Sequence, residues 1–166
     1  MFDISKDCLH NISKKEFFLL DDENQKPAKI VDSNGQFRVV NNTNNSLSFL
    51  QIDDCVYKSG DESRCDCAIF DSGTFCFIEL KTCKNKKQTI KKNRKKAEDQ
   101  LDKSIIKFKN HYLLEGKRLE AYVCLTCISD EKLIHIPSTV NQDKIFKFEE
   151  EYNTKLEYLC NKEFEV

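Results

Sequence analysis

Asp66, Glu79 and Lys81 lie among apolar residues in Cys65-Asp66-Cys67-Ala68-Ile69-Phe70-Asp71-Ser72-Gly73-Thr74-Phe75-Cys76-Phe77-Ile78-Glu79-Leu80-Lys81. The two apolar runs read as short strands, and Asp71-Ser72-Gly73-Thr74 between them has the composition of a tight hairpin turn. A two-residue loop at Ser72-Gly73 sets Asp66 opposite Glu79, with Cβ atoms roughly 4.5–5.5 Å apart; a three-residue loop with a bulge would shift the register by one. Alternation puts Lys81 on the face of Glu79. Two half-buried carboxylates repel each other and lose hydration, so the arrangement calls for compensation. A hard divalent cation such as Mg²⁺ or Mn²⁺ compensates, taking carboxylate oxygens with water and phosphate. Lys81 then orients or deprotonates a water, or steadies charge on phosphate. The alternative is a cross-strand ion pair on a wet edge. Against it, Ala68, Phe70, Phe75 and Phe77 surround the charges, and Cys67, Ile69, Cys76, Ile78 and Leu80 form the other face. Strands apolar on both faces are interior ones.

The elements around the hairpin must position these groups. From about Lys92 to Tyr112, the spacing of Ala97, Leu101, Ser104, Ile105, Phe108 and Tyr112 predicts an amphipathic helix, with Gln100 on the edge of its apolar face. Leu119 to Ile128 reads as a buried strand, and a helix crossing between strands of one sheet implies parallel pairing. Upstream, Leu47 to Tyr57 reads as a strand carrying Asp53, Asp54 and Cys55; the loop Gly60-Asp61-Glu62-Ser63 leads into the Asp66 strand, with Glu62 a further candidate. Residues 21–45, rich in Asp, Asn and Ser, read as loops around a short strand at Gln36 to Val40. Ile136 to Asp143 reads as a turn, followed by a covering helix over about 144–160 with Ile145, Phe146, Phe148, Tyr152, Leu156 and Leu159 inward.

The pattern of Asp66, a dozen intervening residues, then Glu79-Leu80-Lys81 at the end of an apolar strand resembles the PD-(D/E)xK nuclease superfamily, also called restriction-endonuclease-like. The first motif here is Cys65-Asp66, without a proline. The resemblance spans about 47–128 and implies an α/β fold with a restriction-endonuclease-like core, a mixed β-sheet flanked by helices. It implies Mg²⁺ or Mn²⁺ held by Asp66, Glu79 and the Leu80 carbonyl, Lys81 activating water, and Gln100 at the position where many members place a helical Gln or Lys. It also implies an early helix, for which residues 4–20 offer Glu16 as the one glutamate. The implied activity is hydrolysis of phosphodiester bonds in DNA, with RNA left open.

Charge segregation adds to this. From Lys81 to Lys96 there are nine cationic residues and no acid, namely Lys81, Lys84, Lys86, Lys87, Lys91, Lys92, Arg94, Lys95 and Lys96, in a chain whose net charge is −1. Beside a carboxylate cluster this suggests a surface for a polyanion, since phosphate contacts supply most non-specific nucleic-acid affinity. A solvated lysine-rich face and a nuclear-localisation signal are the other readings of the run. At 166 residues the chain reads as a single domain. It has no apolar run of membrane-spanning length and its amino terminus lacks the regions of a signal peptide, so a cytoplasmic protein is expected. Nine cysteines, mostly inside strand patterns, read as reduced core residues. Zinc at Cys65/Cys67 and Cys124/Cys127 is the alternative, while His10, His111 and His135 form no ligand spacing. Two rivals to the nuclease are a catalytically silent binding subunit of a larger complex and a zinc-containing interaction protein. Cutting both strands of a duplex would favour a homodimer.

Overall fold

A computed structural model describes residues 2–22, 25–58, 60, 63–84, 87–127, 134 and 141–166. Its strands are β1 (Leu9–Ile12), β2 (Glu16–Asp22), β3 (Gln25–Val31), β4 (Phe37–Asn41), β5 (Leu47–Gln51), β6 (Cys67–Phe70), β7 (Thr74–Cys83), β8 (Arg118–Cys127), β9 (Thr154–Glu157) and β10 (Asn161–Phe164). Two helices, α1 (Lys87–Phe108) and α2 (Gln142–Tyr152), join them in an α/β fold with mixed sheets. The larger sheet has the order β1-β5-β6-β7-β8-β9 and the smaller β10-β4-β2-β3. In the larger sheet β5, β6 and β7 run antiparallel, and β8 returns parallel to β7 after α1.

The alternation of β7 builds three layers. Phe75 and Phe77 meet Leu101, Ile105 and Phe108 of α1 and Phe148 of α2 in one apolar cluster. Cys76, Ile78 and Leu80 point the other way and meet Phe17, Leu19, Phe37 and Val39 of the smaller sheet in a second. Both helices therefore cover one face of the larger sheet, and the second sheet takes the face where flanking helices were expected.

Residues 4–20 do not form a helix: a 3-10 turn at Lys6–Cys8 leads to β1 and β2. The run Phe17-Phe18-Leu19-Leu20 suits either period, and pairing of β2 with β3 and β4 selects the strand. The 21–45 stretch contains β3 as well as the expected strand at β4. Strand β5 ends at Gln51, short of Tyr57. Helix α1 starts at Lys87, before the expected Lys92, and stops at Phe108; Tyr112 is exposed in a separate 3-10 turn. Likewise α2 stops at Tyr152, because Asn153 adopts a left-handed conformation (φ 49°, ψ 42°) whose N–H closes back on the Phe148 and Glu149 carbonyls. The residues after it form β9, parallel to β8. Leu156 is buried there as expected, whereas Phe146 and Leu159 are exposed. Ile128, His135 and most of the expected turn at 136–143 lie outside the described residues.

The cysteines depart from the all-reduced reading. Cys8 bonds to Cys55 and Cys124 to Cys160, while Cys65, Cys67, Cys76, Cys83 and Cys127 are free and buried. Each bridge joins positions far apart in sequence but adjacent in the fold, a proximity that spacing does not reveal. Among the described residues no helix is long and apolar enough to cross a membrane.

Candidate active site

The hairpin closes on the two-residue loop Ser72-Gly73: Asp71 N–H donates to the Thr74 carbonyl (3.1 Å), and Asp71 Oδ1 accepts from Gly73 N–H (2.8 Å) and Thr74 N–H (2.7 Å). The register pairs Phe70 with Phe75 and Cys67 with Ile78. Asp66, one residue before β6, consequently stands against Glu79. Its N–H donates to Glu79 Oε2 (3.0 Å), and its Oδ2 accepts from Leu80 N–H (2.7 Å). Lys81 Nζ forms an ion pair with Glu79 Oε1. The three expected residues thus converge at one end of β7, on the face covered by α1.

Glu79 is fully buried and Asp66 nearly so, while 17% of the Lys81 side chain meets solvent. Burial pushes Glu79 up to about 7, against the Lys81 ammonium and the Asp66 N–H, which pull it down. Burial, followed by the charges of Glu79 and Asp21, raises Asp66 well above the usual carboxylate range. For Lys81, burial works downward, but Glu79 and Asp66 outweigh it and the ammonium is held above its ordinary value. Asp21, at the end of β2 in the smaller sheet, was not anticipated. It shares the strand alternation of the buried Phe17 and Leu19, a signal visible only once β2 is read as a strand.

The segment carrying Asp66 is fixed from several directions. Its carbonyl accepts from the N–H groups of Ile52 (3.0 Å) and Asp53 (3.1 Å). Cys65 N–H donates to Ser104 Oγ (2.7 Å), and Gln100 Nε2 donates to the Arg64 carbonyl (2.8 Å), both from α1. Gln100 accordingly grips the base of the Asp66 segment rather than a carboxylate, and its buried Oε1 has no hydrogen-bond partner among the described residues. Asp53 and Asp54 turn to the Arg64 guanidinium (2.7 and 3.9 Å), and Glu16 pairs with Arg38 on the surface (2.7 Å). Those three acids are not brought to the site. Glu62 lies outside the described residues.

Among the described residues, no three or more His, Cys, Asp and Glu side chains are gathered tightly enough to hold a metal ion. What the site offers is two carboxylates and a backbone oxygen. The N–H and C=O of one strand residue point to the same lateral side. Leu80 N–H points at Asp66, beyond the end of the β6 ladder at Cys67, so the Leu80 carbonyl lies on that side with no strand opposite. These hard oxygens suit Mg²⁺ or Mn²⁺. The cysteines suit zinc poorly: Cys124 is bonded to Cys160, and burial raises the thiols of Cys65 and Cys67.

The cationic run continues from this end of the sheet. Lys84, Lys87, Lys91, Lys92, Lys95 and Lys96 are exposed, and Lys86 lies outside the described residues. Arg94 differs from its neighbours: only 12% of its side chain is exposed and it pairs with Glu98 (3.5 Å). It lines a cleft of about 570 Å³ with Lys95, Glu98 and residues 141–144 at the start of α2. Asn93 Nδ2 reaches the Thr82 carbonyl (3.5 Å), tying the first turns of α1 to the strand that carries Lys81.

No family model, curated protein or solved structure matches this chain.

Proposed function

We propose that this protein is a Mg²⁺- or Mn²⁺-dependent nuclease with a restriction-endonuclease-like core, hydrolysing phosphodiester bonds in DNA, with RNA as the alternative substrate. The observation that carries the reading is the meeting of Asp66, Glu79 and Lys81 at the sheet end from which an exposed cationic helix departs. The order β5-β6-β7-α1-β8, with β8 parallel to β7, supports it.

Asp66, Glu79 and the Leu80 carbonyl would hold the cation. Bound there, it supplies a water of lowered pKa and offsets charge building on phosphate. Lys81, at the solvent edge, positions the attacking water or steadies a phosphate oxygen. Gln100 keeps the Asp66 segment in place through the Arg64 carbonyl. The exposed lysines of α1 hold the phosphate backbone, an interaction that carries no sequence information. The reading places the enzyme in the cytoplasm, acting as a homodimer if it cuts duplexes.

One observation favours the catalytically silent subunit instead. Glu79 is fully buried and both its oxygens are engaged by groups of the chain itself, Lys81 and the Asp66 N–H. Cleavage of labelled single- and double-stranded DNA and RNA with Mg²⁺ or Mn²⁺ separates the two. The nuclease predicts that Asp66→Ala and Lys81→Ala each lose roughly 10²-fold or more of the activity while staying folded. If no nucleic acid is cut, or the variants cut as well as the wild type, the chain is a binding subunit.

A further inference from the structure

The carboxylate site is fastened to a turn that a disulfide closes. Residues 52–57 follow β5 and fold back on themselves, with Tyr57 N–H donating to the Ile52 carbonyl (3.0 Å) and Val56 N–H to that of Gln51 (3.4 Å). Asp54 within it has a positive φ of 59°, a conformation that L residues other than Asn and Asp rarely adopt. The first two amides of this turn, those of Ile52 and Asp53, are the donors that hold the Asp66 carbonyl. The Asp53 carboxylate also grips Arg64 (2.7 Å), two residues before Asp66. Cys55 sits in the middle of the turn and is bonded to Cys8 in the amino-terminal 3-10 turn. Cys8 is buried, whereas Cys55 is partly exposed. An incoming thiolate therefore meets Cys55 first.

We propose that the Cys8–Cys55 bridge is a redox-controlled clamp on Asp66, closed when oxidised and slackened when a dithiol reduces it. The inference that slackening weakens cation binding rests on the function proposed above. A thiolate of the dithiol attacks Cys55 Sγ, a mixed disulfide forms, and Cys8 leaves as the thiolate. The second thiol of the reagent then displaces Cys55, so the protein gains two electrons and two protons and the dithiol becomes a disulfide. Freed from Cys8, the turn keeps its own hydrogen bonds, the ion pairs to Arg64 and the packing of Ile52, and loses its covalent tie to the amino-terminal turn. Its motion passes through the Ile52 and Asp53 amides to the backbone of Asp66, and from Asp66 Oδ2 to the Leu80 amide. The second bridge, Cys124–Cys160, ties β8 to the residue before β10 in the apolar layer between the sheets, and among the described residues its hydrogen bonds go to Gln36 and Leu125 rather than to the Asp66 segment. It serves as an internal control for the removal of a crosslink as such.

The test compares the full-length oxidised wild type, the wild type reduced with dithiothreitol, Cys8→Ser/Cys55→Ser and Cys124→Ser/Cys160→Ser. Amide hydrogen exchange is followed by NMR and binding by titration with Mn²⁺. Reduction and the Cys8/Cys55 variant are expected to speed exchange at Ile52, Asp53 and Leu80 by about tenfold or more relative to the core of α1. They are also expected to weaken Mn²⁺ binding by about tenfold, while the Cys124/Cys160 variant does neither. Unchanged protection at those amides, or the same rise throughout the protein, overturns the clamp. If the oxidised wild type binds no Mn²⁺, the cation reading fails, and the exchange data still decide the clamp.

Discussion

Glu79 is a carboxylate with no exposure, set opposite a second buried carboxylate. In the native state it keeps its proton up to about pH 7, whereas an unfolded glutamate releases it near 4.5. Across that window the native state binds more protons than the unfolded one through Glu79, so the Glu79 contribution to stability falls as pH rises from about 4.5 to 7 and levels off above. Asp66, raised in the same direction, adds to the slope. At about 1.4 kcal/mol per unit, Glu79 accounts for a loss on the order of 3 kcal/mol. Urea unfolding between pH 5 and 8 without divalent cations is therefore expected to show a declining stability whose slope Glu79→Gln reduces, leaving the part that burial of Asp66 contributes. Identical profiles for the two proteins would mean that Glu79 does not set the slope. At this scale the meeting of Asp66, Glu79 and Lys81 was legible for a two-residue loop, because that loop and a period of two fix which side chains meet, and the Asp71–Thr74 hydrogen bonds decided the loop. Asp21 was not, since its influence crosses from another sheet.

Helix α1 divides its work by face. Ala97, Leu101, Ile105 and Phe108 enter the core, Gln100 and Ser104 hold the Asp66 segment, and Lys91, Lys92, Lys95 and Lys96 face solvent. The inner stripe was readable because apolar residues recur at helical spacing. The withdrawal of Arg94 was not, because Glu98, its partner, is placed by hydrogen bonds from Tyr158 (2.9 Å) and Asn141 (2.9 Å) far along the chain. Reversing charge at Lys91→Glu and Lys95→Glu is expected to leave stability within about 0.5 kcal/mol per site. Nucleic-acid affinity should fall for every sequence, and its salt slope should shrink by about one for each phosphate that is no longer neutralised. Titrations at several salt concentrations measure this; a slope equal to that of the wild type would exclude the outer face of α1 as the phosphate-binding surface.

The whole molecule depends on how its two sheets are joined. Glu120 on β8 is buried in the larger sheet, yet it accepts from Lys162 of β10 in the smaller one (2.7 Å), from Tyr122 Oη (2.6 Å) and from Arg118 Nε (3.1 Å). Removing this acceptor leaves Lys162, whose side chain is 13% exposed, without that partner. Glu120→Ala is expected to cost about 3–5 kcal/mol in chemical denaturation, and a loss below about 1 kcal/mol would mean that the apolar layer and the Cys124–Cys160 bridge hold the sheets together without it. The sequence by itself determined the hairpin, the α1 core stripe and the parallel β7–β8 crossover, and it brought Asp66, Glu79 and Lys81 together on condition of a two-residue loop. Each depends on periodicity or on pairing within one local unit. Only the tertiary structure decided the second sheet, the strand identity of residues 16–22, the early end of α2, the place of Asp21 and both disulfides. Apart from the end of α2, which the left-handed Asn153 sets locally, those features join distant segments of the chain, and an apolar run such as Phe17-Phe18-Leu19-Leu20 takes its conformation from the strands that pair with it.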